Sequence, residues 1–158
     1  MAYYGPTERD SQMSKVYDWE RVTPWYKKES NLTERDCKRI VKKLGQHTAD
    51  YRKKLRISEP VVEILEGTGY CWSDGRIIAL RRIWGMNIPV ILHEYAHNCV
   101  GIRWGHGPKF MGCMGALLSH YMNKDYIEIA NSLNEKRIKF ESITMWKEKL
   151  GLNGRHKL

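Results

Sequence analysis

The sequence predicts an α+β fold in which several helices pack against a small antiparallel or mixed sheet. Apolar residues recur at helical spacing over much of the chain. Between the helical stretches, residues 61–83 form short β-rich runs that are interrupted by glycine turns. A chain of 158 residues with 42% hydrophobic content is long enough for one domain with a substantial core.

The chain divides into three predicted parts. Residues 1–30 form an N-terminal extension rich in aromatic and charged residues, 31–150 form the domain, and 151–158 form a basic tail. The first helix of the domain is expected to begin near Asn31 or Thr33. Its inward-facing residues are predicted to be Cys37, Val41, Leu44, Thr48, Tyr51 and Leu55. The basic residues predicted on its outer face are Arg35, Lys38, Arg39, Lys42 and Lys43.

This basic face has two interpretations. The net charge of the chain is +9, and residues 27–56 alone hold eleven basic and four acidic residues, a balance of +7. A basic stripe is expected where a protein contacts the phosphate backbone of a nucleic acid. An ordinary solvated helix face that keeps the protein soluble has the same composition. The five residues are therefore candidates for DNA binding, and the sequence leaves both interpretations open.

A hairpin is predicted after a first strand at Val61 to Glu66. The segment Tyr70 to Trp72 leads into the turn Ser73-Asp74-Gly75, and Arg76 to Ile83 returns as a β-rich run. The three segments together would form the small sheet.

A buried helix is predicted from Ile88 to Ile102. Asn87 is a suitable N-cap, Pro89 is tolerated in the first turn, and Gly101 allows the chain to leave the helix. Apolar residues lie nearly all round it, which is typical of a helix in the core. Its polar residues form one stripe, namely His93, Glu94, His97 and Asn98. Buried polar groups need partners. We expect Asn98 either to hold a ligand histidine or substrate, or to lie at a solvated edge.

The polar stripe predicts a zinc site. His93 and His97 lie one turn apart on the same helix face, and His106 follows shortly after the helix. Zinc in catalytic sites takes three protein ligands and leaves the fourth position open. Glu94 lies beside the ligands and could act as the general base. The alternative is a chance arrangement of common residues on a helix.

The segments His93-Glu94-Tyr95-Ala96-His97 and His106-Gly107-Pro108-Lys109-Phe110 resemble the core of the SprT-like metallopeptidases, which include the Spartan-type proteases. The resemblance covers residues 88–121. It implies a zincin-like fold, Zn²⁺ held by His93, His97 and His106, Glu94 as the catalytic residue, and cleavage of proteins that are frequently bound to DNA. In zinc peptidases of this build an edge strand pairs with the extended substrate. We expect the hairpin strand before the metal helix to be that edge.

A second core helix is predicted from Pro108 onwards, with two further helices near 125–136 and 142–150. Small residues form one face of the second core helix, and we expect the metal helix to pack there. These residues are Gly112, Gly115, Ala116 and Ser119. Tyr121, His120 and Arg103 are candidates for stabilising an oxyanion, on the ground of their proximity in the chain.

The leading functional hypothesis is a zinc metalloendopeptidase, a hydrolase that acts on protein substrates and whose basic helix is a candidate for DNA contact. One alternative is a narrow processing protease for a single regulator or assembly protein. Another is a non-catalytic, zinc-containing module that binds nucleic acid. The chain has no run of eighteen apolar residues and no apolar signal core at its start. We therefore expect a cytoplasmic monomer with no membrane partner.

Overall fold

The computed structural model describes residues 10–154 and 156–158, and within them the fold is α+β as predicted. The described residues form seven α-helices and one mixed sheet of three strands. The helices are α1 (Met13–Val22), α2 (Glu34–His47), α3 (Ala49–Leu55), α4 (Ile88–Val100), α5 (Pro108–Tyr121), α6 (Tyr126–Glu135) and α7 (Ile143–Leu150). The strands are β1 (Val61–Leu65), β2 (Trp72–Ser73) and β3 (Ile77–Arg81). Over the described residues, no helix has the length and apolar character needed to cross a membrane.

The sheet has the strand order β1-β3-β2, with β1 parallel and β2 antiparallel to β3. The predicted hairpin is confirmed as β2 and β3. Its turn is held by Asp74, whose carboxylate accepts hydrogen bonds from the backbone N–H groups of Arg76 (2.9 Å) and Ile77 (2.8 Å). The prediction that the strand before α4 is an edge is wrong, because β3 is paired on both sides. The edges of the sheet are β1 and β2.

The predicted first helix of the domain begins as expected and then breaks. Thr33 caps α2 in a capping box with Asp36. At Thr48 the backbone leaves helical geometry. The Thr48 hydroxyl donates a hydrogen bond to the Leu44 carbonyl at 2.8 Å, and such a side-chain bond competes with the backbone bonds of the helix. After the break, α3 turns Leu55 outward, so that this residue is 53% exposed and not inward-facing as predicted.

Helix α4 lies at the centre of the core, as its sequence predicts. The side chain of Asn87 accepts a hydrogen bond from the backbone N–H of Val90 at 3.0 Å, and Gly101 ends the helix at φ +89°. Ile91, Leu92 and other apolar residues are fully buried between the sheet on one side and α5 on the other. The metal-ligand candidates on α4 are therefore held on a helix that is buried in the core.

The small-residue face of α5 contacts α7, which corrects the prediction that it would contact α4. A Cβ atom at Gly112 would lie 2.5 Å from Cδ1 of Trp146, and one at Gly115 would lie 2.9 Å from Cγ1 of Ile143. Helices α4 and α5 also pack against each other. These two positions require glycine because α7 approaches the backbone of α5 too closely for a side chain.

Helix α1 lies in the segment that the sequence predicts to be an N-terminal extension. Val16 and Trp19 on this helix are buried in the common core. The indole N–H of Trp19 donates to the hydroxyl of Ser132 on α6 at 2.9 Å. Residues 13–22 therefore pack as part of the domain, on the side that carries the histidines of α4.

Candidate metal centre

Three histidines converge as the sequence predicts. His93 and His97 project from one face of α4 with ring centroids 5.0 Å apart. His106 follows a short 3-10 helix, Ile102–Trp104, and its ring centroid lies 5.1 Å from that of His93 and 4.8 Å from that of His97. One ring nitrogen from each lies within 4.8 Å of the others, and His93 and His106 are buried while His97 is half-buried. The cluster could hold a metal ion.

The nitrogen atoms of two of these rings show how an ion would fit. Nδ1 of His93 contacts the carboxylate of Glu20, and Nδ1 of His106 lies 3.0 Å from Oδ2 of Asp10. When each Nδ1–H donates to its carboxylate, each Nε2 carries a lone pair. These two Nε2 atoms lie 3.2 Å apart. Two lone pairs at this distance would repel, so either one Nε2 carries a proton that it donates to the other or both nitrogens bind a cation. Ligand nitrogens at tetrahedral zinc would be separated by about 3.3 Å, given bonds of roughly 2.0–2.1 Å.

Glu20 is a buried carboxylate with three polar neighbours. One oxygen contacts His93, the other lies 3.3 Å from Nζ of Lys28, and the hydroxyl of Tyr26, which donates to the Pro89 carbonyl at 3.2 Å, lies close by. Burial alone would raise the pKa of Glu20. The charge and hydrogen bond of His93, followed by the charge of Lys28, instead lower the pKa to about 2. Glu20 therefore remains ionised beside the metal-ligand candidates.

Asp10 fixes His106 from the other side. Its Oδ1 accepts a hydrogen bond from the backbone N–H of His106 at 2.9 Å, in addition to the contact with the ring. The carboxylate lies so close to Gly105 that a Cβ there would be 2.7 Å from Cγ of Asp10, and Gly105 also has a φ of +49°. Gln12 donates to the His106 carbonyl at 3.0 Å. The loop that carries the third histidine is thus held by the N-terminal segment.

Phe110 packs against all three imidazoles. Its ring stacks on His97 with centroids 4.2 Å apart, and it lies 5.0 Å from both His93 and His106. Burial lowers the pKa of His97 well below its ordinary value, and the charges of the neighbouring histidines lower it further. Burial also lowers the pKa of His106, against the opposing effect of Asp10. His97 and His106 are therefore neutral, which is the form that binds metals.

Glu94 follows His93 on α4 and is the candidate general base. Its side chain is buried, and together with His93 it lines a cleft of about 680 Å³. Burial raises the pKa of Glu94 to about 7; the charge of His93 opposes this shift and that of Glu20 adds to it. The aromatic residues that line the cleft are Tyr17, Tyr26, Tyr70 and Trp84. A carboxyl group of this pKa can both accept and return a proton near neutral pH.

Tyr17 is a site residue that the sequence does not reveal. Its ring lies parallel to that of His93 at 6.1 Å and meets the ring of His106 edge-on at 5.1 Å. Burial raises its pKa, and the negative charge of Glu94 raises it further, so the phenol remains protonated. Tyr17 therefore presents an O–H donor at the wall of the cleft.

The three oxyanion candidates from the sequence have other contacts. The Tyr121 hydroxyl lies 2.7 Å from Nδ1 of His47, and His120 pairs with His156 at 3.3 Å. The guanidinium of Arg103 lies over the ring of Trp104. Tyr121, His120 and Arg103 are absent from the residues that line the cleft around Glu94.

Asn98 has a structural role, contrary to both expectations for it. The side chain is buried, its oxygen accepts a hydrogen bond from Nη1 of Arg52 at 2.7 Å, and its amide donates to the Gly75 carbonyl at 2.7 Å. Asn98 thereby ties α4 to α3 and to the hairpin turn.

The candidate DNA-binding residues form a partly paired surface on α2. Lys38 lies 2.9 Å from Glu34, and Arg39 lies 3.7 Å from Asp36. Arg35, Lys38, Arg39 and Lys42 are exposed, while Lys43 is half-buried. Exposed ion pairs of this kind are weak, so the basic residues remain free to exchange partners.

Comparisons with models of protein families, with curated proteins and with solved structures find no match. The resemblance to SprT-like metallopeptidases therefore depends on the two segments at His93 to His97 and His106 to Phe110. Function has to be argued from the geometry and chemistry of the site.

Proposed function

We propose that this protein is a zinc-dependent metalloendopeptidase that hydrolyses peptide bonds of protein substrates. The observation that carries the proposal is the convergence of His93, His97 and His106, together with Glu94, which lines a cleft beside His93. Zinc is the proposed metal because three imidazoles are a donor set that it prefers in catalytic sites. Nε2 of His93 and Nε2 of His106 lie 3.2 Å apart, a separation at which both could bind one ion.

The residues would divide the reaction among them. His93, His97 and His106 would hold zinc, which when bound supplies Lewis-acid polarisation of the peptide carbonyl and lowers the pKa of water to about 7. Glu94 accepts a proton from the attacking water as the water oxygen bonds to the carbonyl carbon. As the C–N bond breaks, Glu94 returns that proton to the leaving amine. Tyr17 lines the same cleft, and its hydroxyl would donate a hydrogen bond to the substrate.

The shape of the cleft supports a peptide as substrate. At about 680 Å³ the cleft has room for more than a single side chain. Tyr70 and Cys71 line it and lead directly into β2, which is an edge of the sheet. An extended peptide could pair with the backbone of this edge, while Tyr17 and Trp84 contact its side chains. Such pairing reads backbone shape, so sequence specificity would be loose.

Proteins bound to DNA are the proposed substrate class, because the SprT-like resemblance implies them and because α2 carries a basic face. A narrow processing protease remains the second enzymatic candidate. A closed structural zinc site without catalysis is less well supported, since among the described residues the donor group has three members and a carboxylate, Glu94, stands beside it.

The decisive test is Glu94→Gln, with Glu63→Gln as a matched control because Glu63 is an exposed carboxylate on β1. Zinc content and cleavage of an unfolded casein are measured for both variants. We expect Glu94→Gln to retain zinc and to lose at least about 100-fold in cleavage rate, the scale of general base catalysis. Equal activity in the two variants would remove Glu94 from the mechanism.

The same assay separates the substrate classes. Cleavage is measured with and without double-stranded DNA, on casein and on a DNA-binding protein. Stimulation by DNA supports substrates bound to DNA, and failure to digest unrelated unfolded proteins favours the narrow processing protease.

A further inference from the structure

We infer that Asp10 and Glu20 are positioning residues of the metal centre, which makes the segment from Asp10 to Glu20 a part of that centre. The inference rests on the proposed function in that it takes the three histidines as metal ligands. It adds two carboxylates that determine which ring nitrogen two of the three histidines offer to the metal. Both carboxylates lie in the segment that the sequence predicts to be an extension.

Each carboxylate selects the tautomer of one histidine. Glu20 contacts Nδ1 of His93, and Asp10 contacts Nδ1 of His106. A carboxylate accepts hydrogen bonds, so the ring proton is held on Nδ1 and Nε2 is left as the metal donor. Both Nε2 atoms then point at the same place, where they lie 3.2 Å apart. One carboxylate alone would orient only one of the two rings.

The charge of the two carboxylates also suits a divalent cation. Neutral imidazoles bring no charge to the site, whereas Asp10 and Glu20 together bring two negative charges next to their rings. Glu20 is nearly fully buried, and a carboxylate in this position is unfavourable unless it is paired.

The third histidine is held differently. Among the hydrogen bonds of the described residues, none involves the ring of His97, which stacks on Phe110 instead. The carboxylates therefore act on His93 and His106 specifically. This asymmetry predicts that Glu20 and Asp10 each matter for metal affinity while exposed acids of the same region do not.

The experiment measures zinc affinity of the full chain by competition with a chromophoric chelator, a readout that does not depend on proteolysis. The variants are Glu20→Gln and Asp10→Asn, which keep the size of the side chains. Glu29→Gln is the control because Glu29 is exposed. We expect each of the two variants to bind zinc about 10–100-fold more weakly than the wild type, as for other groups that orient metal ligands. The control should bind as the wild type does.

The variant Lys28→Met distinguishes a positioning role of Glu20 from a purely structural one. It removes the ion pair between Glu20 and Lys28 and leaves the contact between Glu20 and His93. This variant should retain zinc affinity within about threefold, because the positioning contact with His93 is kept. The visible absorption spectrum of the Co²⁺-loaded protein provides a second readout, since it should change in Glu20→Gln and not in Lys28→Met.

The outcomes distinguish this inference from the proposed function. A wild-type protein that binds no zinc contradicts both. A wild type that binds zinc, with Glu20→Gln and Asp10→Asn equal to the control, overturns only the inference. Should Glu20→Gln fail to fold, Asp10→Asn gives the deciding affinity, because Asp10 is less buried than Glu20.

Discussion

Phe110 connects the stability of the fold to the metal centre, and its replacement by alanine tests that connection. The side chain has no exposed surface, and its ring contacts His93, His97 and His106. Truncation of a buried phenylalanine to alanine costs about 3–5 kcal/mol through lost burial and the remaining cavity. For a domain of this size each kcal/mol lowers the melting temperature by roughly 2–4 °C. We therefore expect Phe110→Ala to melt roughly 6–20 °C below the wild type.

The second phenylalanine of the chain provides the matched control. Phe140 is half-buried and lies at the edge of the core, so Phe140→Ala should cost less stability and leave zinc affinity unchanged. Thermal unfolding of the metal-free proteins and zinc affinity are measured for both variants. Phe110→Ala should weaken zinc binding as well, because the imidazoles lose the surface that holds them. Equal zinc affinity in the two variants would refute the role of Phe110 in orienting the ligands.

Two further predictions concern the third ligand and the support of α4. In the wild type, zinc at 100 times its Kd should stabilise the fold by about 2.7 kcal/mol and raise the melting temperature. His106→Ala should show little of this rise at the same zinc concentration. An undiminished rise would exclude His106 as a ligand. Arg52→Ala should lower the free energy of unfolding by at least about 2 kcal/mol, because the buried oxygen of Asn98 loses its hydrogen-bond donor. Lys53→Ala, at the exposed neighbouring residue, should have little effect. Equal losses of stability in the two variants would contradict the role of Arg52.

The parts of the site that the sequence predicts are those encoded locally. His93 and His97 are one helical turn apart, and the N-cap at Asn87 and the glycine at 101 determine where their helix begins and ends. His106 is close in the chain, and a turn of defined geometry brings it back to α4. In each case the information lies within about twenty residues. Spacing and helix signals were therefore sufficient to predict the three histidines and Glu94 as one group.

The parts that the sequence does not predict depend on contacts between distant segments. The contact between Glu20 and His93 joins residues 73 positions apart, and that between Asp10 and His106 joins residues 96 positions apart. Nothing in the spacing of acidic residues near the N-terminus marks these two as special. Helix α1 is also hard to recognise, because Gln12 at its N-cap makes no side-chain capping bond. The orientation of the α5 glycines toward α7 is likewise a property of tertiary packing.

This division between local and distant contacts has a consequence for metal binding. His93 and His97 are in place once α4 has formed, but His106 and its partner Asp10 belong to segments that must dock on it. An ion held by His93 and His106 would favour only the docked arrangement, so part of its binding free energy would be folding free energy. Asp10 lies just before α1 and Glu20 lies in its last turn. Metal binding should therefore protect the backbone amides of α1 from hydrogen exchange more than those of α7, which packs against α5.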